Sequence, residues 1–276
     1  MKKQISMLLA AAMLLSLTAC ASSGAKSEST ASEKAADGSA KWKIGAEGPL
    51  SGGAAVYGNA VANGAELAVK EINEKGGING YQIEFKKADD EHDQEKAVNA
   101  FNSLKDWGMQ VLVGPTTSAP TIAVGSEAEA DNLFVLTPTG SAVECTAPKN
   151  VFRVCFSDPA QGTKSAQYIG EHKLGKKVGV LYDSSDVYSS GIRDAFVEEA
   201  KKQGIELTED QQFTADSNKD FSTQLQKLRD AGADLVFLPF YYTEAALVLK
   251  QANTMGYKPI FFGCDGMDGI LNLDGF

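Results

Sequence analysis

The chain has 276 residues, of which 43 % are hydrophobic and 22 % are charged. That length is enough for one large domain with a buried core or for two smaller domains. The formal net charge is −10 at pH 7. A chain this acidic lacks the basic surface that DNA and RNA require, so nucleic-acid binding is excluded as a function class.

The N-terminus has the pattern of an export signal. Two lysines precede the apolar run ISMLLAAAMLLSL, residues 5–17, which is too short to span a bilayer as a stable helix. Two outcomes are open. Ordinary cleavage near Ala19 leaves a soluble exported protein, whereas the quartet Leu-Thr-Ala-Cys resembles a bacterial lipobox, in which Cys20 is acylated. We expect a lipoprotein signal at residues 1–19, since the two acyl chains on the cysteine suffice for stable anchoring.

Residues 20–41 are predicted to form a flexible tether. The stretch ASSGAKSESTASEKAADGSA contains no aromatic and no branched aliphatic residue. Such a segment cannot bury enough apolar surface to order itself. As a flexible coil of about 20 residues it spans about 25 Å, which lets the folded part stand off the membrane.

From Trp42 onward, a short apolar run, a helical pattern and a glycine recur in turn. Several runs are apolar at consecutive positions, which is typical of strands covered on both faces. Alternating strands and helices predict the α/β class, with parallel sheets, right-handed crossovers and helices on both faces. The predicted strands are KIGAE, YQIEF, VLVG, LFVLT, KKVGVLY, DLVFLPF and PIFFG.

This rhythm changes near Phe152, where FRVCFSDPAQG indicates a short alternating strand followed by a break at Pro159. We therefore place a domain boundary at Asp158, with a first lobe at residues 42–158 and a second lobe at residues 159–276. Each half carries about four strand–helix units, which favours two similar lobes over one very wide sheet.

Polar side chains follow the predicted strands in both halves, and ligands of open parallel sheets bind beyond the carboxyl ends of strands. Small hydroxyls in the first half suit an anion at helix N-termini, and the absence of Lys and Arg among them favours a carboxylate. Tyrosines and one acid in the second half suit a cation, so the two walls together match a zwitterion such as an α-amino acid. The first-half positions are Ser51, Tyr57, Thr116, Thr117, Ser118, Thr139, Gly140 and Ser141, and the second-half positions are Tyr188, Tyr241, Tyr242 and Asp265.

Each of these residues also has a purely structural interpretation. A single Ser or Thr at a helix start is more often an N-cap than a ligand contact. A Tyr at a strand end is usually a half-buried wall residue, and Asp265 can cap the next helix. Their joint placement at one rim is what favours a binding site.

The acidic segment DDEHD, residues 89–93, places four carboxylates around one histidine and suggests a metal site. Adjacent residues at a strand end diverge and no second histidine is near, so we favour a solvated loop with a helix cap and expect neither a metal nor a cofactor. The chain also lacks G-x-S-x-G, G-x-G-x-x-G and P-loop motifs and shows no nucleophile–base pair, so we expect no enzyme activity.

Apart from Cys20, the chain has three cysteines, Cys145, Cys155 and Cys264. Three thiols cannot all pair within one chain. A Cys145–Cys155 bridge across the turn around Pro148 stays open at this point, because the sequence does not supply the geometry that a disulfide needs.

These segments resemble the branched-chain amino-acid binding proteins of ABC importers, which are bilobal receptors with the periplasmic-binding-protein type I fold. The resemblance runs from about Lys43 to the last residue. It implies two Rossmann-like lobes, each a parallel sheet flanked by helices. The segments that carry it are GPLSGGAAVYGNAVANGAELAVKEINEKGGING, ADDEHD, VGPTTSAPT, LTPTGS, FRVCFSDPAQG, DSSDVYSSG, FYYTEAALVLKQANTMG and FFGCDG.

The resemblance also implies a set of ligand-binding residues. Ser118 and Ser141 match hydroxyls that hold the ligand carboxylate, which also meets backbone N–H groups near Gly140. The tyrosines match aromatic walls, and Asp265 matches the acid that accepts the ammonium group. Many members that bind leucine, isoleucine and valine have Glu in place of Asp265 and Thr in place of Ser141. The implied residues are Tyr57, Ser118, Gly140, Ser141, Tyr188, Tyr241 and Asp265.

The function implied by the resemblance is that of an extracytoplasmic solute-binding lipoprotein. It would bind an amino acid, branched-chain or another small neutral one, and deliver it to an ABC permease with its ATPase subunits. The acylated Cys20 would hold it on the outer face of the cytoplasmic membrane. A sensory amino-acid receptor and an exported α/β enzyme are the alternatives. Family members continue past Phe276, so the resemblance also implies an incomplete first lobe and a truncated second lobe, and hence weaker binding.

Overall fold

The computed structural model of the protein describes residues 41–273. The expected signal peptide, the lipidation site at Cys20 and the tether up to residue 40 lie outside the described residues, so those expectations stay predictions. Within the described part, no helix combines the length and the apolar character needed to cross a membrane.

Strands and helices alternate through the first lobe, as the sequence predicts. Among the described residues it contains β1 (Trp42–Gly48), α1 (Ala55–Glu74), β2 (Ile83–Asp89), α2 (Gln94–Asp106), β3 (Val111–Val113), α3 (Ser118–Ala130), β4 (Phe134–Thr137) and β5 (Val151–Arg153). These strands pair in parallel in the order β2-β1-β3-β4-β5. The strand order reverses at β1, and such a switch point is where open parallel sheets bind ligands.

The second lobe repeats this arrangement on a smaller scale. Between residues 158 and 263 it contains α4 (Asp158–His172), β6 (Lys177–Asp183), α5 (Val187–Lys202), β7 (Glu206–Phe213), α6 (Ser222–Asp230), β8 (Leu235–Leu238), α7 (Tyr242–Thr254) and β9 (Ile260–Gly263). Its strands are also parallel, in the order β7-β6-β8-β9, so the order reverses at β6. The predicted fold class, two lobes with parallel sheets flanked by helices, is confirmed.

Strand β8 shows why the predicted strands are apolar at consecutive positions. Leu235 and Phe237 pack on one side of the sheet with helices α4 and α5. Val236 and Leu238 pack on the other side with α6 and α7. All four side chains are fully buried, and burial of such a side chain contributes about 1.5–3 kcal/mol. A strand covered on both faces therefore needs no polar residue.

Strand β7 is not among the predicted strands, so the prediction is wrong at this point. It lies at the edge of the second sheet and has the polar sequence ELTEDQQF. Only its last residue, Phe213, is buried. An edge strand has solvent on one side, so it carries little of the apolar pattern by which the central strands are found.

The segment between β5 and β6 separates the two sheets. The first sheet ends at Arg153 and the second begins at Lys177. Helix α4 begins at Asp158 and packs against α5 of the second lobe. Asp158, which the sequence analysis assigns to the first lobe as its last residue, thus lies in the first turn of a second-lobe helix.

The cysteines of the described part, Cys145, Cys155 and Cys264, are free thiols. The bridge between Cys145 and Cys155 that the sequence leaves open is not formed in this part of the chain. The Cys145 thiol instead lies 3.6 Å from the carbonyl oxygen of Ser118. Burial raises the pKa of this thiol to about 12, so it stays protonated.

Candidate functional site

A cavity of about 240 Å³ lies at the carboxyl ends of both sheets, and we call it the cleft cavity. Its first-lobe walls follow β1, β3 and β4, and its second-lobe walls follow β6, β8 and β9. Both sets of residues meet here because the two sheets present their carboxyl edges to one cleft. The lining residues are Tyr57, Thr116, Thr117, Thr139, Ser141, Tyr188, Tyr241, Asp265 and Asp268.

Three tyrosines form the aromatic part of the cleft cavity. The rings of Tyr188 and Tyr241 stack with centroids 4.8 Å apart, and the Tyr57 ring lies 5.9 Å from that of Tyr241. Burial is the main cause that raises the pKa of each phenol, and the charge of Asp265 adds to it. The phenols therefore keep their protons and act as hydrogen-bond donors.

The carboxylate of Asp265 enters the cavity from the turn after β9. The Tyr188 hydroxyl donates to Asp265 Oδ1 at 2.5 Å and accepts from the Gly266 N–H at 2.9 Å. One carboxylate oxygen is thus held in place, while Asp265 as a whole remains solvent-exposed. A fixed and exposed carboxylate beside aromatic rings is suited to accept a small cation.

The first-lobe wall of the cavity is made of hydroxyl side chains at the ends of β3 and β4. Thr116 donates toward the Glu47 carbonyl oxygen at 3.4 Å, and Thr139 donates to the Thr116 carbonyl oxygen at 2.5 Å. Thr117 is the N-cap residue of α3, but its side chain makes no cap hydrogen bond. Its Oγ1 lies 2.8 Å from Nδ1 of His92. These bonds fix the position of the wall.

Ser118 and Gly140 lie behind this wall and do not line the cavity. The Ser118 Oγ accepts the N–H groups of Ser141 and Ala142, each at 3.1 Å. The Gly140 N–H donates to Thr137 Oγ1 at 2.9 Å. The backbone N–H groups that the resemblance offers to a ligand carboxylate thus have hydroxyl partners in this structure, and the ligand contacts of Ser118 and Gly140 stay predictions.

Among the other predicted residues, Tyr57, Ser141, Tyr188, Tyr241 and Asp265 line the cavity. The hydroxyls of Thr116, Thr117 and Thr139 follow the predicted strands but are not in the set that the resemblance implies. Asp268 is missed altogether. It comes three residues after Asp265, and the 3-10 turn at Asp265–Met267 brings both to the same side, since such a turn repeats every three residues.

The second-lobe side of the cleft is rich in carboxyl groups. Asp158 is only 1 % exposed, and neither of its carboxyl oxygens has a hydrogen-bond partner. Burial, with the nearby charges of Asp186 and Asp265, raises the pKa of Asp158 to about 7. No Lys or Arg of the described residues lines the cleft cavity. The two walls therefore differ in polarity, with neutral hydroxyls on one side and carboxylates on the other.

The DDEHD segment is a loop with a helix cap, as the sequence analysis favours. Asp93 accepts the Lys96 N–H at 2.9 Å and so caps α2. Asp89 accepts the Leu50 N–H at 2.8 Å and the Ser51 hydroxyl at 2.7 Å. The described residues contain no cluster of three or more His, Cys, Asp or Glu side chains that could hold a metal ion.

Hydrogen bonds cross directly between the lobes around the cavity. The Tyr57 hydroxyl donates to the Asp268 carbonyl oxygen at 2.7 Å and lies 3.1 Å from the Asp265 carbonyl oxygen. Thr243 Oγ1 of α7 donates to the Gly53 carbonyl oxygen at 2.9 Å. The described conformation is therefore one in which the lobes are closed on each other.

A family model described as periplasmic binding protein matches residues 41–272. The chain belongs to the periplasmic binding protein family. This confirms the resemblance found in the sequence. The proteins of this family and the relatives of this chain are solute-binding proteins, not enzymes, in agreement with the sequence analysis.

Two relatives illustrate what this family member is similar to. It is 34 % identical over 226 residues to Leu/Ile/Val-binding protein homolog 3 of Brucella melitensis, covering 81 % of this chain and 61 % of the relative. It is 32 % identical over 227 residues to the leucine-, isoleucine-, valine-, threonine- and alanine-binding protein of Pseudomonas aeruginosa, covering 82 % of this chain and 60 % of the relative. The chain thus spans about three fifths of the length of these relatives.

A solved structure agrees with both the fold and the family. The branched-chain amino acid transporter substrate binding protein LivJ from Streptococcus pneumoniae, in complex with isoleucine, superposes with a TM-score of 0.75. It is 32 % identical in sequence, and the match covers 81 % of this chain and 64 % of that one.

Proposed function

We propose that this periplasmic binding protein holds an α-amino acid in the cleft cavity. The observation that carries the proposal is the opposite polarity of the walls. The hydroxyl of Ser141 on the first-lobe side and the carboxylate of Asp265 on the second-lobe side line the same cavity of about 240 Å³. An α-carboxylate pairs with the hydroxyl wall, and an α-ammonium group pairs with Asp265. Hydrogen bonds to charged groups contribute about 1.5–3 kcal/mol each, so both ends of the ligand add to its affinity.

Closure of the lobes provides the mechanism. Each lobe supplies only half of the charge complementarity, so the ligand contacts the closed form preferentially and shifts the population toward it. Tyr57 bonds to the second lobe in the closed conformation, and separation of the lobes would break these bonds. Ligand and interlobe contacts therefore stabilise the same conformation.

The ligand class we propose is a branched-chain or another small neutral amino acid. The support is the relatives, whose names give leucine, isoleucine and valine and, for one of them, threonine and alanine. The rings of Tyr57, Tyr188 and Tyr241, which line the cavity, offer apolar contact to such a side chain. Asp265 and Ser141 stand where many members that bind branched-chain amino acids carry Glu and Thr, which affects the choice of side chain more than that of the headgroup.

The cellular role we propose is uptake through an ABC importer. The closed, loaded form would be recognised by a membrane permease whose ATPase subunits supply the energy. Export and a lipid anchor at Cys20 on the outer face of the cytoplasmic membrane are supported by the N-terminal sequence alone. Retention of a Cys20→Ala variant in the membrane fraction would contradict the anchor.

Calorimetric titration with leucine and two of its analogues tests the binding proposal. 4-Methylpentanoate keeps the carboxylate and lacks the ammonium group, whereas 3-methylbutylamine keeps the ammonium group and lacks the carboxylate. We expect leucine or another neutral member of a panel of the common amino acids to bind, and both types of truncated analogue to bind at least a hundredfold more weakly. If 4-methylpentanoate bound as tightly as leucine, the proposed role of Asp265 would be refuted.

A further inference from the structure

A second cavity in the same cleft, of about 490 Å³, lies beside the cleft cavity. We call it the acidic cavity, because six of its lining residues are acids and none of its described lining residues is Lys or Arg. Tyr241 lines both cavities, so the two are neighbours. The acids are Glu91, Asp93, Glu95, Asp183, Asp186 and Glu244.

His92 of the first lobe stands in the wall between the two cavities. It lines the acidic cavity, and its Nδ1 lies 2.8 Å from Oγ1 of Thr117, which lines the cleft cavity. Its ring meets the ring of Tyr241 edge-on, with centroids 5.3 Å apart and an interplanar angle of 79°. Thr117, His92 and Tyr241 thus form a continuous contact from the first lobe to the second.

The backbone holds His92 in this position at a conformational cost. Glu91 and His92 both have left-handed backbone angles, with φ of 50° and 63°. Such angles are uncommon outside glycine, and two in succession are kept only where the surroundings enforce them. The His92 N–H donates to Asp90 Oδ1 at 2.8 Å, and Asp93 caps α2 on the other side. The loop that carries His92 is therefore anchored at both ends.

We propose that His92 is a specificity-determining residue that closes the cleft cavity off from the acidic cavity and so limits the length of the ligand side chain. This inference rests on the proposed function, because it takes the cleft cavity as the place of the amino-acid headgroup. A short neutral side chain ends against the wall of Thr117, His92 and Tyr241. A longer side chain is blocked by the imidazole, and a cationic one is thereby kept from the carboxylates beyond it.

Removal of the imidazole should therefore admit long cationic amino acids. The His92→Gly variant suits the left-handed backbone and joins the two cavities. We expect its affinity for arginine and lysine, relative to leucine, to rise at least tenfold over the wild type in calorimetric titrations. Of the six acids, Glu91 already pairs with Lys96 at 2.6 Å, and burial raises the pKa of Asp186 and Glu244. The acidic cavity still supplies the reason, since Asp93, Glu95 and Asp183 also line it and attract a guanidinium or ammonium group.

His92→Asn is the matched rescue variant. Asparagine tolerates the left-handed backbone, and its amide can reach the Thr117 hydroxyl in place of Nδ1. We expect it to return at least half of the wild-type preference for leucine over arginine, on a logarithmic scale. If His92→Asn lost as much of the preference for leucine over arginine as His92→Gly does, a role of the contact with Thr117 would be contradicted.

An unchanged ratio of arginine to leucine affinity in a folded His92→Gly protein would overturn the inference. If that variant does not fold, Thr117→Val removes the hydroxyl partner of the imidazole, and an unchanged ratio there overturns the inference equally. If the wild-type protein binds no amino acid at all, the proposed function itself is refuted. If it binds leucine and the ratio of arginine to leucine affinity is unchanged in the variant, only the role of His92 is refuted.

Discussion

At the scale of single residues, two carboxyl groups near the cleft have different surroundings. Asp265 is exposed, and its oxygen is oriented by the Tyr188 hydroxyl at 2.5 Å. Asp158 is 1 % exposed and its oxygens have no hydrogen-bond partner. The first group can meet a ligand cation, whereas burial disfavours the ionised form of the second. Each leads to a separate prediction.

Loss of the Asp265 charge should abolish most of the affinity for an amino acid. In Asp265→Asn the shape of the side chain is kept, and the attraction for the α-ammonium group is lost. We expect the dissociation constant to rise more than tenfold with an unchanged melting temperature. Asp230→Asn makes the same chemical change at the exposed end of α6 and should leave binding as it is. Wild-type affinity in Asp265→Asn would remove the acid from its proposed role.

Asp158 predicts a pH dependence of stability. Burial raises its pKa to about 7 in the folded chain, against about 3.9 in an unfolded one. The folded state therefore binds the proton more tightly, so the contribution to the free energy of unfolding is greatest below about pH 4 and is lost as pH rises through about 7. The three-unit shift sets an upper limit of about 4 kcal/mol.

Thermal or urea unfolding of Asp158→Asn and of the wild type, each at about pH 5 and about pH 8, measures this contribution. The variant cannot ionise at this position, so it should gain stability relative to the wild type between about pH 5 and pH 8. Glu47, Asp90 and Glu244 also have raised pKa values because of burial, but they occur in both proteins and cancel in the comparison. If the difference in stability between Asp158→Asn and the wild type were the same at both pH values, the raised pKa of Asp158 would be contradicted.

At the scale of secondary-structure elements, helices α4 and α5 pack closely because of a glycine. A side-chain carbon at Gly162 of α4 would collide with the Ile192 carbonyl oxygen and the Phe196 nitrogen of α5. By contrast, a side-chain carbon at Gly64, inside α1, would meet nothing within 4 Å. Both glycines lie in helix interiors, so the same substitution should have opposite effects at the two sites.

Gly162→Ala should destabilise the protein and Gly64→Ala should stabilise it. Overpacking costs about 1–3 kcal/mol, whereas alanine in an open helix position adds about 0.4–1 kcal/mol through lower unfolded-state entropy. Urea unfolding of the two variants beside the wild type measures both. Destabilisation of similar size at both positions would contradict the close approach of α4 and α5.

The secondary-structure elements also show which parts of the fold can be predicted from the sequence. Buried strands such as β8 are predicted from their continuous apolar residues, because both faces are covered. The polar edge strand β7 is not, because its pairing with β6 depends on backbone hydrogen bonds and leaves no apolar period. The same holds within the site. Tyr57 and Asp265 follow strands and were found, whereas Asp268 and His92 reach the cleft through a turn and a strained loop.

At the scale of the whole molecule, the account depends on two lobes that close over a ligand. Thr243 of α7 donates to the Gly53 carbonyl oxygen at 2.9 Å across the cleft, and it does not line the cleft cavity. It therefore reports on closure separately from ligand contact. The bond exists only while the lobes are together, so its loss should favour the open form.

Thr243→Val should weaken ligand binding without touching the ligand. One neutral hydrogen bond contributes about 0.5–1.5 kcal/mol, which corresponds to an affinity loss of about two- to tenfold, seen mainly as faster dissociation. Thr254→Val in the same helix is the control, because its hydroxyl bonds only to the Lys250 carbonyl oxygen. Stopped-flow dissociation rates that are equal in the two variants would contradict a role of this contact in closure.

The most direct test of the central claim is a crystal structure of the protein with the amino acid that binds it best. The account predicts the ligand inside the cleft cavity, with its α-carboxylate on the hydroxyl of Ser141 and its α-ammonium group within hydrogen-bond distance of Asp265. An amino acid bound outside the space between the lobes, or one held there with its ammonium group turned away from Asp265, would contradict it.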